Sequence, residues 1–286
     1  MSNLPERHEV RYFGSRADHR GSEPGFKESR PWAVLSDAES HKLGLVIATA
    51  VISAPRPGST HDYLVEAGSR NGSLWSTARI DVQQLWTYLD SQQLPLRSPP
   101  DVLDELTIER LRARLTERLS STSGMAGGAA ASYRPRPGTV VWAELLEGAS
   151  AIDSDLDATS HLLGKVGIEW PVQSRMLPCV CVASTEIEEA KGEVVLPLVA
   201  AVPLIHAPKL QDEFPENPTV VVPGTDAILG APVHLSALTQ VLFTLDYRRS
   251  SRRIQFRHGD VRGWTATDTE LGAILEDVRD FIGLAP

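Results

Sequence analysis

Apolar positions in this chain fall in short runs separated by polar turns. Trp32–Leu35, Leu43–Ser53, Leu177–Ser184 and Val194–Ile205 are the densest. Short apolar runs with polar ends predict buried strands rather than helices. Weaker runs predict further strands at Val10–Phe13, Thr60–Glu66, Leu74–Ile80, Gln84–Asp90 and Thr139–Trp142, with a turn at Asn71-Gly72. After Pro99-Pro100 the period changes. Leu103, Leu106, Leu111, Leu115 and Leu119 stand at helical spacing between charges, predicting a helix over 108–119 that Thr107 caps. Leu271, Ile274, Leu275, Val278 and Ile282 predict a closing helix over 268–282.

These elements occur twice. Each half reads as about five short strands and then a helix, and the pairs Arg30-Pro31 with Leu177-Pro178 and Gln84–Asp90 with Gln240–Asp246 sit at matching places. An internal duplication is the simplest account. The expected fold is mainly β with C-terminal helices, two small bent barrels in tandem. The expected division is 1–119, a Gly/Ala/Ser linker over 120–133, and 134–286. A flexible linker of that length spans about 20 Å, enough for the two barrels to dock side by side.

Charge changes the picture. The net charge is −9, yet residues 1–122 are close to neutral, with 15 Lys/Arg against 16 Asp/Glu. The excess acid lies in the second half, so non-specific nucleic-acid binding by the whole chain is not expected. A basic cluster at Arg248, Arg249, Arg252, Arg253 and Arg257 is the one positive patch there. The two cysteines, Cys179 and Cys181, stand too close on one strand to bridge readily and lack further ligands nearby, so they read as buried apolar residues. No apolar run near membrane-spanning length and no basic-apolar leader is present, so a cytoplasmic protein without membrane contact is expected. No phosphate-cradling Gly-rich loop, nucleophile elbow or His-Glu-x-x-His motif occurs.

Arg30 precedes Pro31, which keeps it out of the helical region and makes it an extended lead into a buried strand. A guanidinium fixed there suits a phosphate; an ordinary surface arginine is the other reading. Together Gly21-Ser22-Glu23, Arg30-Pro31-Trp32-Ala33-Val34-Leu35-Ser36, the strand ending Val51-Ile52-Ser53 and Gln84–Asp90 resemble the MazF/PemK toxin family, over most of 5–120 and more weakly over 134–284. The resemblance implies two SH3-like barrels of the CcdB/PemK type, the second degenerate. It implies an endoribonuclease that cuts single-stranded RNA by 2′-OH attack without metal or cofactor. It implies Arg30 and Ser53 as catalytic residues, and Glu23, Lys27 and Thr49 as substrate-binding residues, Thr49 also standing in reserve for the hydroxyl role. The implied partners are RNA, an antitoxin protein, operator DNA through that antitoxin, and a second barrel, met either within the chain as a pseudo-dimer or in a homodimer.

The second copy departs from the pattern. Leu177 replaces the arginine, Arg175 stands two residues off, and no Ser or Thr occurs among Val202–His206. It is therefore expected to be silent in this chemistry. The competing expectation for the whole chain is a catalytically inactive tandem barrel that binds nucleic acid or a protein. A weaker one is self-inhibition by the acidic half.

Overall fold

The computed structural model describes residues 4–13, 31–53, 63–94, 99–120, 136–144, 157–167, 176–184, 198–206, 212–222, 233–246 and 264–284. In chain order the elements are β1 (Glu9–Tyr12), β2 (Pro31–Val34), α1 (Ala38–Lys42), β3 (Leu45–Ile52), β4 (Leu64–Glu66), β5 (Arg79–Leu89), β6 (Asp101–Val102) and α2 (Glu105–Ser120). They continue as β7 (Thr139–Glu144), α3 (Asp157–Lys165), β8 (Met176–Ser184), β9 (Leu198–Ile205), β10 (Thr219–Val222), β11 (Val233–Ala237), β12 (Phe243–Asp246), β13 (Trp264–Thr265) and α4 (Asp268–Phe281). The fold is mainly β, in two curled sheets, and in each half a helix follows the strands.

The densest apolar runs form the sheet centres. β3 is buried along its whole length, as a strand covered on both faces must be. Of the strand expected at Leu74–Ile80 only Arg79 and Ile80 are strand, and they run on without a break through the expected Gln84–Asp90 run as β5, which ends at Leu89. Its register against β3 slips between Thr49 and Ala50, which pair with Leu85 and Asp81. Val82–Gln84 form the bulge. Asp81 holds it, accepting the Gln83 amide at 3.1 Å and the Gln84 side chain at 2.6 Å. A bulge sharpens strand bending and so curls the sheet.

Helix α2 starts earlier than the apolar spacing suggests. Its cap is Asp104, not Thr107: the Asp104 carboxylate accepts the Thr107 amide at 2.8 Å. The hydroxyl and amide of Thr107 together hold Asp104 below the usual carboxylate range. Leu106 is exposed, and Ile108 takes its place on the buried face with Leu111, Leu115 and Leu119. α4 begins with a capping box between Thr267 and Glu270 and buries Leu271, Ile274, Leu275 and Val278. The helices α1 and α3 and the strands β10 and β11 fall in stretches where the apolar pattern predicts no element.

The two sheets repeat one plan. The first runs β4-β5-β3-β2-β1-β6 and the second β10-β11-β9-β8-β7-β13, with β12 also on β9. Val10 pairs with Ala33 and Val140 with Val180; Trp32 pairs with Ala50 and Cys179 with Pro203. These registers match Pro31 with Pro178 and β3 with β9 residue for residue. What is one strand in the first sheet, β5, is divided between β11 and β12 in the second. Ile47 pairs with Thr87 and Ala200 with Thr244. The true counterpart of Thr87 is therefore Thr244, and Gln83 matches Gln240. The alignment of Gln84 with Gln240 expected from spacing is one residue out of register.

That correction exposes how the halves meet. β4 covers only Arg79–Asp81, so the far edge of β5 beyond the bulge is left open within its own sheet. The β12 region meets it. The Thr87 amide donates to the Leu242 carbonyl at 2.8 Å, and the Leu242 amide donates to Thr87 Oγ1 at 2.7 Å. Reciprocally, the Leu85 amide donates to Thr244 Oγ1 at 2.9 Å, and that hydroxyl reaches the Gln83 carbonyl at 3.1 Å. Thr87 reaches the Gln240 carbonyl at 3.4 Å. Since Leu85 matches Leu242 and Gln83 matches Gln240, the amide-to-hydroxyl and hydroxyl-to-carbonyl contacts of the two threonines are pseudo-symmetric partners, the signature of an isologous interface. Trp86 and its counterpart Phe243 face each other across it, with ring centroids 6.3 Å apart. Among the described residues two hydrophobic clusters each draw side chains from both halves, and α2 and α4 lie in the same one.

Candidate functional site at the entry of β2 and the end of β3

β2 and β3 are antiparallel, with Trp32 opposite Ala50. The entry of β2 and the exit of β3 therefore lie at one edge of the first sheet. Trp32 is buried and meets Tyr88 edge-on at 5.1 Å; Tyr88 stacks on Phe13 at 4.4 Å. This aromatic group pins the first residues of β2. Ser53 follows the last residue of β3 and is exposed. Arg30, Glu23 and Lys27 lie outside the described residues, as do Arg175 and the cluster Arg248–Arg257.

Thr49 is on the same face of β3 as Ser53 by alternation, but it is fully buried under the bulge. Its hydroxyl donates to the Asp81 carbonyl at 2.9 Å. The structure thus separates the two hydroxyls: one is held inside the sheet and one is at the open edge.

The edge continues into a groove that the residue patterns did not point to. Arg79 pairs with Ile52 on one side and with Glu66 on the other. Glu66 lies 3.9 Å from both Arg79 and Arg110. With Gly68, Asp104 and Thr107 these residues line an open groove of about 290 Å³. Charged residues at strand ends carry no distinctive signal in a sequence; only the pairing of β4 with β5 and the packing of α2 bring them together.

The second sheet has the same edge with different chemistry. Leu177 stands where the first has Arg30, and His206 follows β9 where Ser53 follows β3. His206 is exposed, and its Nδ1 lies 3.1 Å from the His234 carbonyl. A carbonyl only accepts, so the proton sits on Nδ1. Cys179 and Cys181 are buried free thiols, and burial pushes the Cys181 thiol well above its ordinary range.

Two buried polar pairs stand in the first half. Arg11 is almost fully buried and donates from Nε to Glu9 at 2.8 Å. Val141 and Thr139 occupy the matching positions in β7, so the fold does not require that ion pair. Ser36 Oγ accepts the Ile47 amide at 3.0 Å and sits 3.1 Å from His41 Nε2. Burial lowers the His41 basicity, with Asp37 and Asp90 opposing. Ser36 is completely enclosed, so this pair braces the α1 turn rather than presenting a nucleophile. Among the described residues no three His, Cys, Asp or Glu side chains converge as metal ligands. Among them no helix is long and apolar enough to cross a membrane.

No family model matches the chain, and no curated protein matches it. Among solved structures, one likeness is to an endoribonuclease in complex with its cognate antitoxin from Mycobacterial species. It is 14% identical, covers 41% of this chain and 96% of that one, and superposes with a TM-score of 0.30. A TM-score this low carries no inference about activity.

Proposed function

We propose that the chain is a toxin-type endoribonuclease whose single site lies at the edge where β2 begins and β3 ends. The observation that supports it most is the difference between the two sheets at that edge. They share one register, yet the first offers Arg30 in sequence and an exposed Ser53, while the second has Leu177 and His206. A barrel that folds without the arginine and the serine has no structural need of them.

In the proposed reaction the RNA 2′-oxygen attacks the adjacent phosphorus. The O2′–P bond forms, the P–O5′ bond breaks, and a 2′,3′-cyclic phosphate and a 5′-hydroxyl result. Arg30 stabilises the charge that develops on the non-bridging oxygens; a guanidinium does not give up its proton, so its role is electrostatic. The Ser53 hydroxyl orients the phosphate. The burial of Thr49 leaves that role to Ser53. Glu23 and Lys27 belong to the segment that covers the substrate. The division into 1–119, a linker 120–133 and 134–286 fits this reading. The second half replaces the other subunit of a homodimer, as the reciprocal Thr87 and Thr244 contacts suggest. An antitoxin, with operator DNA through it, and a cytoplasmic setting complete the proposal.

The test is incubation of the purified chain with single-stranded RNA in the presence of EDTA. Cleavage to cyclic-phosphate ends is expected. Arg30→Ala should lower the rate by about 10²–10³, the usual effect of removing a transition-state donor, and Ser53→Ala by less. Intact RNA, or equal rates for Arg30→Ala and the wild type, would overturn the reading.

A further inference from the structure

His8 is the only described residue other than glycine with a positive φ, at 71°. Its counterpart in the second sheet is Gly138, with φ 87°. The two amides do the same work: His8 donates to the Val34 carbonyl and Gly138 to the Cys181 carbonyl, each at 2.8 Å. The turn into the first strand thus needs a left-handed residue, and glycine serves there without strain. The first sheet instead carries an imidazole at a conformational cost. Such strain concentrates where a side chain has a task beyond folding.

Three guanidinium charges act on that imidazole: Arg7 is its chain neighbour and shares the Gly283 backbone with Arg112, and the Arg70 amide is tied to the Val102 carbonyl beside Leu103, whose own amide donates to the His8 carbonyl at 3.0 Å. Arg7, in the same turn, donates to the Leu35 carbonyl at 2.9 Å and lies 3.4 Å from Asp37. Arg112, on α2, donates to the Gly283 carbonyl beyond α4 at 2.9 Å. Arg70, in the loop after β4, pairs with Glu105. Gly283 also has a positive φ, and a Cβ there would lie 2.3 Å from Arg7 Nη1. Arg7 therefore packs on bare glycine backbone, which draws it and Arg112 together. The cluster holds three guanidinium charges against two carboxylates, Asp37 and the largely exposed Glu105. Burial, then Arg7 and Arg112, then Arg70 against Glu105, depress the His8 basicity to about 4, so the ring is neutral near pH 7.

We propose that His8, Arg7, Arg70 and Arg112 form a phosphate-binding site at the start of β1. Tyr12, at the other end of this strand, pairs with Pro31, so the site lies at the opposite end of β1 from the entry of β2. A tetrahedral phosphate offers enough acceptor oxygens for several guanidinium donors and an imidazole N–H at once. A carboxylate offers two. Capping the end of α4 needs Arg112 alone and explains neither the imidazole nor Arg70. Binding is coupled to a proton. A bound anion favours the imidazolium, so the His8 pKa rises in the complex and affinity increases as pH falls towards it. The site does not depend on RNA cleavage.

The test is an NMR titration of the His8 ring in the full chain. It is run free, with inorganic phosphate, and with a 2′-O-methyl oligoribonucleotide that cannot be cleaved and whose diesters do not titrate in this range. The free midpoint is expected near 4. It should rise with a bound probe. A response to the oligonucleotide identifies a nucleic-acid phosphate; a response to inorganic phosphate alone identifies a free-phosphate site. His8→Gly should bind the responding probe roughly tenfold more weakly, as expected for losing one charge-assisted hydrogen bond, while melting at a higher temperature than the wild type. Arg112→Met should weaken binding without the gain in melting temperature. A midpoint unmoved by saturating amounts of both probes, or wild-type affinity in His8→Gly, would overturn the proposal.

Discussion

Replacing Thr87 by valine removes a hydroxyl that accepts the Leu242 amide at 2.7 Å, and Thr244→Val removes one that accepts the Leu85 amide at 2.9 Å. Both threonines are buried. Valine fills nearly the same volume, so no cavity forms; the cost is the stranded amide, together with the bond each hydroxyl gives to a carbonyl, Gln240 from Thr87 and Gln83 from Thr244. A buried donor left without a partner costs about 1–3 kcal/mol. Each variant should lose that much, a large share of the ~5–15 kcal/mol that holds a typical domain together. Thr→Ser at either position keeps the acceptor and should cost well under half as much. The two sites share β5, so the double variant should depart from additivity, and a double-mutant cycle measures by how much. The assay is urea unfolding followed by tryptophan fluorescence and far-UV circular dichroism. Because both hydrophobic clusters contain residues of both halves, the two signals should fall in one transition. Losses below ~0.5 kcal/mol in both valine variants, within the usual range for an inconsequential surface change, would refute the interface as described. So would two separate transitions in the wild type.

Transplanting the second sheet's residues into the first, as Glu9→Thr with Arg11→Val, should leave stability unchanged or higher, because a buried ion pair is often no better than apolar packing. Arg11→Met alone strands Glu9 and should cost about 3–5 kcal/mol in the same urea assay. Asp277 is half-buried, and burial, with Asp280, Glu216 and Glu276 nearby, raises its carboxyl above the usual range against the hydrogen bond from Thr239. A carboxyl with a raised folded pKa favours the folded state below its unfolded value and loses that contribution as pH rises through the folded value. Asp277→Asn should therefore unfold at higher urea than the wild type at pH 7 and match it in acid; equal midpoints at both pH values would contradict this.

Much of the architecture is written locally. The apolar runs at β2, β3, β8 and β9 are short, evenly apolar and bounded by polar residues, which favours buried strands, and the apolar spacing on α2 and α4 reports one buried face each. The repeat is legible because each half must build its own sheet centre from the same pattern. Burial periodicity is a property of neighbouring residues, and so the chain displays it unaided.

The sequence by itself therefore determined the mainly β class, the twofold repeat and the two long helices. Tertiary structure decided what depends on distant partners. The bulge at Val82–Gln84 set the register of β5, moved the match of Thr87 onto Thr244, and buried Thr49. The open edge of β5 found its acceptors and donors in β12 of the other half, some 150 residues along the chain. The groove of Glu66, Arg79 and Arg110 and the arginines around His8 gather from separate elements. A hydrogen bond or ion pair across a fold leaves no period in the sequence, so only the packed molecule reveals which polar groups it has brought within reach.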